Sequence, residues 1–286
     1  MRPTVRPHSS QPVSAIAADA LTANRAVGTV ELAVRYVEGI NRRHLVREAG
    51  SLRVRFPSPE TTALSAVLIN TAGGVAGGDR FSVNLAAEQG SEVVVTTAAA
   101  EKVYRSHGPA AEVEVRLNVA DGGRLAWLPQ ETILFDRARL ARRIEIDLSE
   151  DASLLCAEIV VFGRTAMDER LSSASYVDRW RLRRGGKLAF AETVRLEDDV
   201  AARLERRAIG GAAIAFATVL IAPGDEQLVA RARAAATAFA SEFGISAWNG
   251  FAIARFCGVD AAHLRADVTA LVRTVDGAVL PRLWLS

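Results

Sequence analysis

Residues 67–80 read VLINTAGGVAGGDR and join an apolar run to a loop with two glycine pairs. Glycine adopts positive φ angles and lets other backbone approach closely, so this stretch predicts a strand followed by a tight loop. A Walker A loop needs a lysine and a hydroxyl residue after its last glycine, but Asp79 and Arg80 stand there. The glycine spacing also breaks the dinucleotide-binding fingerprint. The loop is therefore either a turn that Asp79 caps or part of another kind of site.

Alternating apolar and polar residues flank this loop in both directions. Apolar residues occupy every second position in residues 30–36 and 52–56 before the loop and in residues 113–117 after it. A period of two is typical of β-strands that bury one face. These segments are therefore predicted to be strands of a sheet.

Turn sequences recur along the same part of the chain, about 30 residues apart, and an apolar strand follows each turn. The turns fall at residues 88–90, 121–123, 150–151 and 185–186. Such a period is expected of stacked β units, in which equivalent strand positions line up in columns. The predicted fold class is mainly β, with an extended stacked β-sheet body of hairpin-like units.

A small α/β part containing two helices is predicted at the C-terminal end. The first helix is placed over residues 226–243 with Asp225 as its N-cap, and the second begins at Asp260. A strand is predicted before each helix, at residues 214–221 and around Phe251. This part therefore consists of two strand–helix units.

The chain is predicted to form one domain after a short leader. The β body is placed at about residues 27–200 and the α/β part at about residues 208–286. Residues 1–26 contain scattered prolines and arginines without a continuous apolar core. They are therefore interpreted as a disordered leader and not as a signal peptide.

Composition narrows the class of protein further. The formal net charge is only +2, and no basic stripe with interleaved aromatic residues is present, so nucleic-acid binding is not predicted. No apolar run is long enough to span a membrane. The two cysteines, Cys156 and Cys257, lie far apart in the sequence, as expected of reduced thiols in a cytoplasmic protein.

Two carboxylates interrupt apolar strand sequences, and no common catalytic motif accompanies them. Glu158 lies in LLCAEIVVF, and Glu192 lies in LAFAETV. A carboxylate buried without a partner is costly, so each must be paired, hydrated or facing the edge of a sheet. One interpretation pairs them with arginines such as Arg164 and Arg195; in another, they act as the acid and base of a β-rich hydrolase.

Five sequence blocks, in the order of a known family, resemble the urease accessory protein D family (UreD, called UreH in some organisms). The blocks are NTAGGVAGGDR at 70–80, TTAAAEKVYRS at 96–106, WLPQETILF at 127–135, VFGR at 161–164 and LPRLWL at 280–285. The resemblance implies a cytoplasmic scaffold that is not an enzyme. It would link the complex of urease accessory protein F and the GTPase urease accessory protein G to apo-urease.

The resemblance also implies a route for nickel, a transient ion, with no tightly bound cofactor. Carried onto this chain, it assigns five residues to the lining of a wet internal passage: Asp79, Glu101, Lys102, Glu158 and Glu192. Hard oxygen ligands in series suit transient handling of a divalent ion, whereas a tight nickel site would cluster histidine and cysteine. Residues 136–143 contain four arginines and are interpreted as a solvated loop or the rim of a partner surface.

Overall fold

Two β-sheets lie face to face in the computed structural model, and helices cover the outer face of one of them. The structure describes residues 25–58, 61–164, 171–276 and 280–285. All but the last two residues of the proposed leader, residues 1–24, lie outside the described part of the chain.

The first sheet has seven strands in the order β14-β13-β11-β8-β5-β1-β2. Their bounds are β1 Val27–Val37, β2 Ile40–Gly50, β5 Arg80–Ala87, β8 Ala111–Val119, β11 Arg139–Leu148, β13 Ala174–Arg184 and β14 Lys187–Asp198. In β5, β8 and β11, buried and more exposed residues alternate. The period of two read from the sequence therefore reflects a sheet that buries one face.

The second sheet has ten strands. Eight follow the order β16-β17-β15-β12-β9-β6-β4-β3, and β10 pairs with β12 and β7 beside them. Their bounds are β3 Leu52–Arg55, β4 Leu64–Asn70, β6 Glu92–Thr97, β7 Glu101–Val103, β9 Arg124–Leu128, β10 Thr132–Leu134, β12 Ser153–Phe162, β15 Ala215–Ala222, β16 Glu242–Trp248 and β17 Phe251–Gly258.

The body is a stack of coils in which the chain passes repeatedly from one sheet to the other. Strands β4, β6, β9 and β12 pair in parallel, and so do β5, β8, β11 and β13. Four residues line up in one column: Leu64, Val93, Leu125 and Leu154. The mainly β stacked body is confirmed, but its central unit is a coil with parallel neighbours and not a hairpin. Antiparallel hairpins such as β1–β2 and β13–β14 flank the coils.

Strand β12 is apolar at nearly every position because both of its faces are covered. Leu154, Cys156 and Val160 belong to the core between the two sheets. Leu155 and Ile159 belong to a second core between the ten-stranded sheet and the helices. A strand buried on both faces has no solvent side and so loses the alternation.

Three α-helices are present among the described residues: α1 Val200–Glu205, α2 Glu226–Ala235 and α3 Ala261–Asp276. The Asp225 side chain accepts a hydrogen bond from the Leu228 backbone N–H at 2.7 Å, which confirms the predicted N-cap. Asp260 likewise accepts from the His263 N–H at 2.8 Å. In the part of the chain that the structure describes, no helix combines the length and apolar character needed to cross a membrane.

The predicted helix over residues 226–243 is too long. The α-helix ends at Ala235, a 3₁₀ turn follows, and residues 242–248 form β16. Asp267 accepts hydrogen bonds from the backbone N–H groups of Ala240 and Ser241, which turns the chain out of the helix. Phe243 then packs 4.9 Å from the ring of Phe256. Tertiary contacts thus override the helix propensity of an alanine-rich run.

Candidate functional site: two cavities joined at buried charges

The glycine loop lies between β4 and β5, at the end of the coil stack. Asp79 is buried, and its two oxygens accept hydrogen bonds from the backbone N–H groups of Ala26 at 2.9 Å and Ala76 at 2.7 Å. The second bond closes the turn, so Asp79 caps it, as one interpretation of the sequence predicts. The first bond fixes the start of the described chain against the loop.

Two of the loop glycines are required by close contacts. A side chain on Gly74 would meet the Tyr104 ring at 2.4 Å, and one on Gly77 would meet the Ser106 hydroxyl at 1.9 Å. The Tyr104 hydroxyl donates to the Gly73 carbonyl at 2.7 Å. The sequence block at residues 96–106 therefore packs directly on the glycine loop, which explains why both blocks occur together.

A first cavity of about 280 Å³ opens beside this loop. Its outer end includes the exposed residues Gly73 and Lys102, and its inner end reaches Glu158. Glu101 lies in its wall and accepts hydrogen bonds from the Asn70 amide at 3.2 and 3.1 Å. Burial raises the pKa of Glu101 above its ordinary value, and the bonds from Asn70 oppose this rise.

A cluster of charged side chains lies at the inner end of the cavity, between the two sheets. Arg142 on β11 and Asp178 on β13 are cross-strand neighbours in the seven-stranded sheet. The Arg142 Nε donates to Asp178 Oδ1 at 3.0 Å, and its Nη2 donates to Oδ2 at 2.6 Å. Nη1 donates across the core to Glu158 on β12 of the other sheet. All three side chains are about 95% buried.

Neutral donors complete this cluster. The Trp127 indole N–H donates to Glu158 at 2.7 Å, and the Trp180 indole N–H donates to Asp178 at 3.0 Å. The Tyr176 hydroxyl donates to Asp178 at 2.8 Å and lies 2.9 Å from Arg142 Nη2, from which it accepts. Buried charges are normally satisfied in this way.

The cluster contains two carboxylates and one guanidinium. Burial by itself would lower the pKa of Arg142, but Asp178 and Glu158 outweigh burial and hold that pKa well above its ordinary value. Burial raises the pKa of Glu158, although Arg142 and the Trp127 N–H oppose the rise. One guanidinium is shared between two carboxylates and holds Asp178 with two bonds, so Glu158 is the less compensated of the two.

A second cavity of about 490 Å³ begins on the other side of the cluster. Its wall includes Glu192 on β14 and Arg255 on β17, which form an ion pair between the two sheets. Arg255 also donates to the Thr218 hydroxyl at 2.8 Å. Exposed residues such as Ile209 and Glu242 line the outer part of this cavity.

Arg142 and Glu158 line both cavities. The two spaces therefore approach each other at this ion pair, with carboxylates on either side: Glu101 in the first and Glu192 in the second. Lys102 also lines the first cavity. Asp79 is absent from the lining of both, because its carboxylate is turned to the backbone of the loop.

The arginines that pair with the carboxylates differ from those suggested by the sequence. Glu158 pairs with Arg142, and Glu192 pairs with Arg255. Arg195 instead lies 3.4 Å from Glu197, and the Arg164 guanidinium stacks over the Phe135 ring at 4.4 Å. Pairing with arginine, one of the interpretations of the sequence, is confirmed, whereas the identity of the partners depends on how the two sheets face each other.

Residues 136–143 are not a wholly solvated loop. Their second half begins β11, and Arg142 is buried at the centre of the molecule. Sequence reasoning missed Arg142 and Asp178, although a signal existed. Each occupies an inward position of an alternating strand, Arg142 between Leu140 and Ile144, and Asp178 between Tyr176 and Trp180.

Within the described ranges, no three side chains of histidine, cysteine, aspartate or glutamate are grouped closely enough to hold a metal ion. Four carboxylates lie singly or in pairs along the cavities with an arginine or amide partner each: Glu101, Glu158, Asp178 and Glu192. Such a series offers oxygen ligands in succession and does not form a closed coordination shell.

Comparison with known proteins gives a consistent result. The family described as UreD urease accessory protein matches residues 26–285 of the chain. A protein of Rhodopseudomonas palustris (strain CGA009), named urease accessory protein UreD, is 61% identical over 264 residues, which cover 92% of this chain and 95% of the relative. A protein of Bradyrhizobium sp. (strain BTAi1), named urease accessory protein UreD 3, is 59% identical over 277 residues, with coverage of 97% and 99%.

Proposed function

The chain belongs to the UreD urease accessory protein family, and from this premise we propose that it is a non-catalytic scaffold of urease maturation. In this proposal it works in the cytoplasm and connects a complex of urease accessory proteins F and G to apo-urease. Protein G hydrolyses GTP, and this chain supplies the geometry. Nickel is the cargo and passes through the chain without becoming a resident cofactor.

The observation that supports a nickel route is the meeting of two cavities at Arg142 and Glu158. Glu101 offers its carboxylate in the first cavity, Glu158 at the junction and Glu192 in the second. Oxygen ligands hold late first-row metal ions more weakly than imidazole or thiolate, so successive carboxylates suit transfer. Lys102 lies at the exposed end of the first cavity, beside Glu101.

The alternative of a carboxylate-based hydrolase is not favoured by this geometry. Glu158 and Glu192 both line the second cavity, as that alternative needs. An acid–base pair, however, requires a carboxylic acid that can give up a proton and a free carboxylate that can take one. Ion pairing to Arg142 and Arg255 engages both side chains.

The proposal is tested by co-expressing the tagged chain with accessory proteins F and G and apo-urease of its organism. Pull-down reports assembly, and urease activity is measured with and without nickel. We expect partners to be recovered and activity to depend on the chain. The double variant Glu101→Gln/Glu192→Gln should assemble normally but activate urease about tenfold less at limiting nickel, equivalent to about 1.4 kcal/mol.

Glu112→Gln is the matched control, because Glu112 is an exposed carboxylate on β8 whose only described ion pair is with Arg80 at 3.8 Å. We expect it to activate urease like the wild type. Urease activation in the absence of the chain would contradict the scaffold role. Full activation by the double variant would contradict the nickel route alone.

A further inference from the structure

In the charge cluster, one arginine is hydrogen-bonded to carboxylates of both sheets. Arg142 reaches from the seven-stranded sheet to Glu158 on the ten-stranded sheet, and both residues line both cavities. Its guanidinium donates hydrogen bonds to oxygens of Glu158, Asp178 and Tyr176. A positive charge therefore occupies the junction.

The oxygens around the guanidinium are those that a divalent cation uses as ligands. Asp178 contributes two carboxylate oxygens, Glu158 one and Tyr176 a hydroxyl. With both carboxylates ionised, the cluster keeps one negative charge in excess, which attracts a cation. The Arg142 guanidinium meanwhile occupies the place beside these oxygens, so a cation and Arg142 compete for them.

Resting on the proposed nickel route, we propose that Arg142 is an internal plug, and that a divalent cation crosses between the cavities by displacing its guanidinium from Glu158. Arg142 retains its two bonds to Asp178 on the adjacent strand, which tether it while the bond to Glu158 opens. Glu158 is left with the Trp127 indole N–H and takes up the cation through its free oxygen. The guanidinium returns when the cation leaves.

Aromatic side chains form part of the wall of the second cavity beside this plug. The Phe162 ring lies 6.2 Å from that of Tyr176 and 5.3 Å from that of Phe216, both edge to face. Phe162, Tyr176 and Phe216 all line the second cavity. The Phe162 and Phe216 rings offer a cation no oxygen ligands, so at the junction the carboxylates of the cluster determine where it can pause.

Fluorine NMR of the full chain labelled with 5-fluorotryptophan tests the plug directly. Trp127 and Trp180 donate to the two cluster carboxylates, and Trp248 and Trp284 lie in the C-terminal strands and turn. Paramagnetic Ni²⁺ broadens the signal of a nearby label. We expect Arg142→Gln to lower the Ni²⁺ concentration that broadens Trp127 and Trp180 by about tenfold, equivalent to about 1.4 kcal/mol.

Two further variants make this result decisive. Adding Glu158→Gln to Arg142→Gln should reverse the gain, since the carboxylate that receives the cation is gone. Arg142→Lys keeps the charge but cannot hold both carboxylates at once, so it should give a smaller shift in the same direction; it also serves if Arg142→Gln does not fold. The signals of Trp248 and Trp284 should respond equally in all variants.

The plug is overturned if Arg142→Gln and Arg142→Lys leave the broadening of Trp127 and Trp180 at the wild-type Ni²⁺ concentration, or if Glu158→Gln does not reverse the gain. The NMR titrations are made on this chain with Ni²⁺ alone and do not require urease. Failure of the scaffold proposal would appear in the activation assay with wild-type chain, and failure of the plug would appear only in the NMR titrations.

Discussion

Asp79 shows how one carboxylate can hold a loop together. Its oxygens accept from the N–H groups of Ala26 and Ala76, and its carbonyl accepts from the Glu112 N–H at 2.9 Å. The residue that leads into β1 and the turn of the glycine loop are thus bound to one side chain. Asp79 also affects the first cavity through its charge: burial raises the pKa of Glu101, and the nearby Asp79 carboxylate adds to this rise.

Replacing Asp79 by alanine should destabilise the chain. The substitution leaves two backbone N–H groups without their acceptor, which costs about 1–3 kcal/mol for a buried donor. Urea denaturation followed by circular dichroism measures the change. Glu112→Ala is the control, because removing one exposed partner of an ion pair should cost less than about 1 kcal/mol. Equal stability of Asp79→Ala and wild type would contradict the capping role.

The glycine loop packs closely against a neighbouring segment because some of its glycines leave no room for a side chain. Gly77 lies where a side chain would come within 2.6 Å of the Pro109 carbonyl and closer still to Ser106. Gly108, which lies between Ser106 and Pro109 in the sequence, has open space where a side chain would be placed. Packing therefore requires glycine at position 77 but not at position 108.

This contrast gives a prediction at the scale of the loop. Gly77→Ala should lower the free energy of unfolding by about 1–3 kcal/mol, because overpacking forces the backbone apart. Gly108→Ala should be neutral or stabilise by up to about 1 kcal/mol, since alanine restricts the unfolded chain. Thermal denaturation of both variants measures this difference. A Gly77→Ala protein as stable as Gly108→Ala would show that the close contact is not a constraint.

At the scale of the whole molecule, one sheet joins the coil stack to the C-terminal part. Strand β15 pairs with β12 of the stack on one side and with β17 on the other. Residues from β15 and β17, including Leu220 and Phe251, also belong to the core between the two sheets. The two parts share backbone hydrogen bonds and side-chain packing.

The chain should therefore unfold in one cooperative transition. Leu264→Ala, at a fully buried position of α3, should cost about 2–5 kcal/mol and shift the entire transition. In a urea titration, the fluorine signals of Trp180 in the stack and Trp284 at the C-terminal turn should disappear at the same concentration, in wild type and variant. Loss of the Trp284 signal before that of Trp180 would show that the parts unfold separately.

Local sequence patterns determined much of this architecture. The period of two identified strands such as β1 and β8. The turns at 88–90, 121–123 and 150–151 precede the aligned residues Val93, Leu125 and Leu154, whereas the turn at 185–186 leads into β14, an antiparallel strand of the other sheet. Asp225 and Asp260 were identifiable as helix caps because capping is a contact between residues three positions apart. The apolar run around Glu158 also indicated that its charge needed a partner.

Only the tertiary structure decided which arginines pair with Glu158 and Glu192. Alternation tells which face of a strand a residue occupies, but the residue it meets across the core depends on the register of the two sheets. That register brings Arg142 to Glu158 and Arg255 to Glu192. It also turned residues 242–248 into a strand beside Phe256. The sequence by itself determined most of the elements and the need to neutralise buried charge. Packing determined β16 and the place where the two cavities meet, because both depend on contacts between residues distant in the sequence.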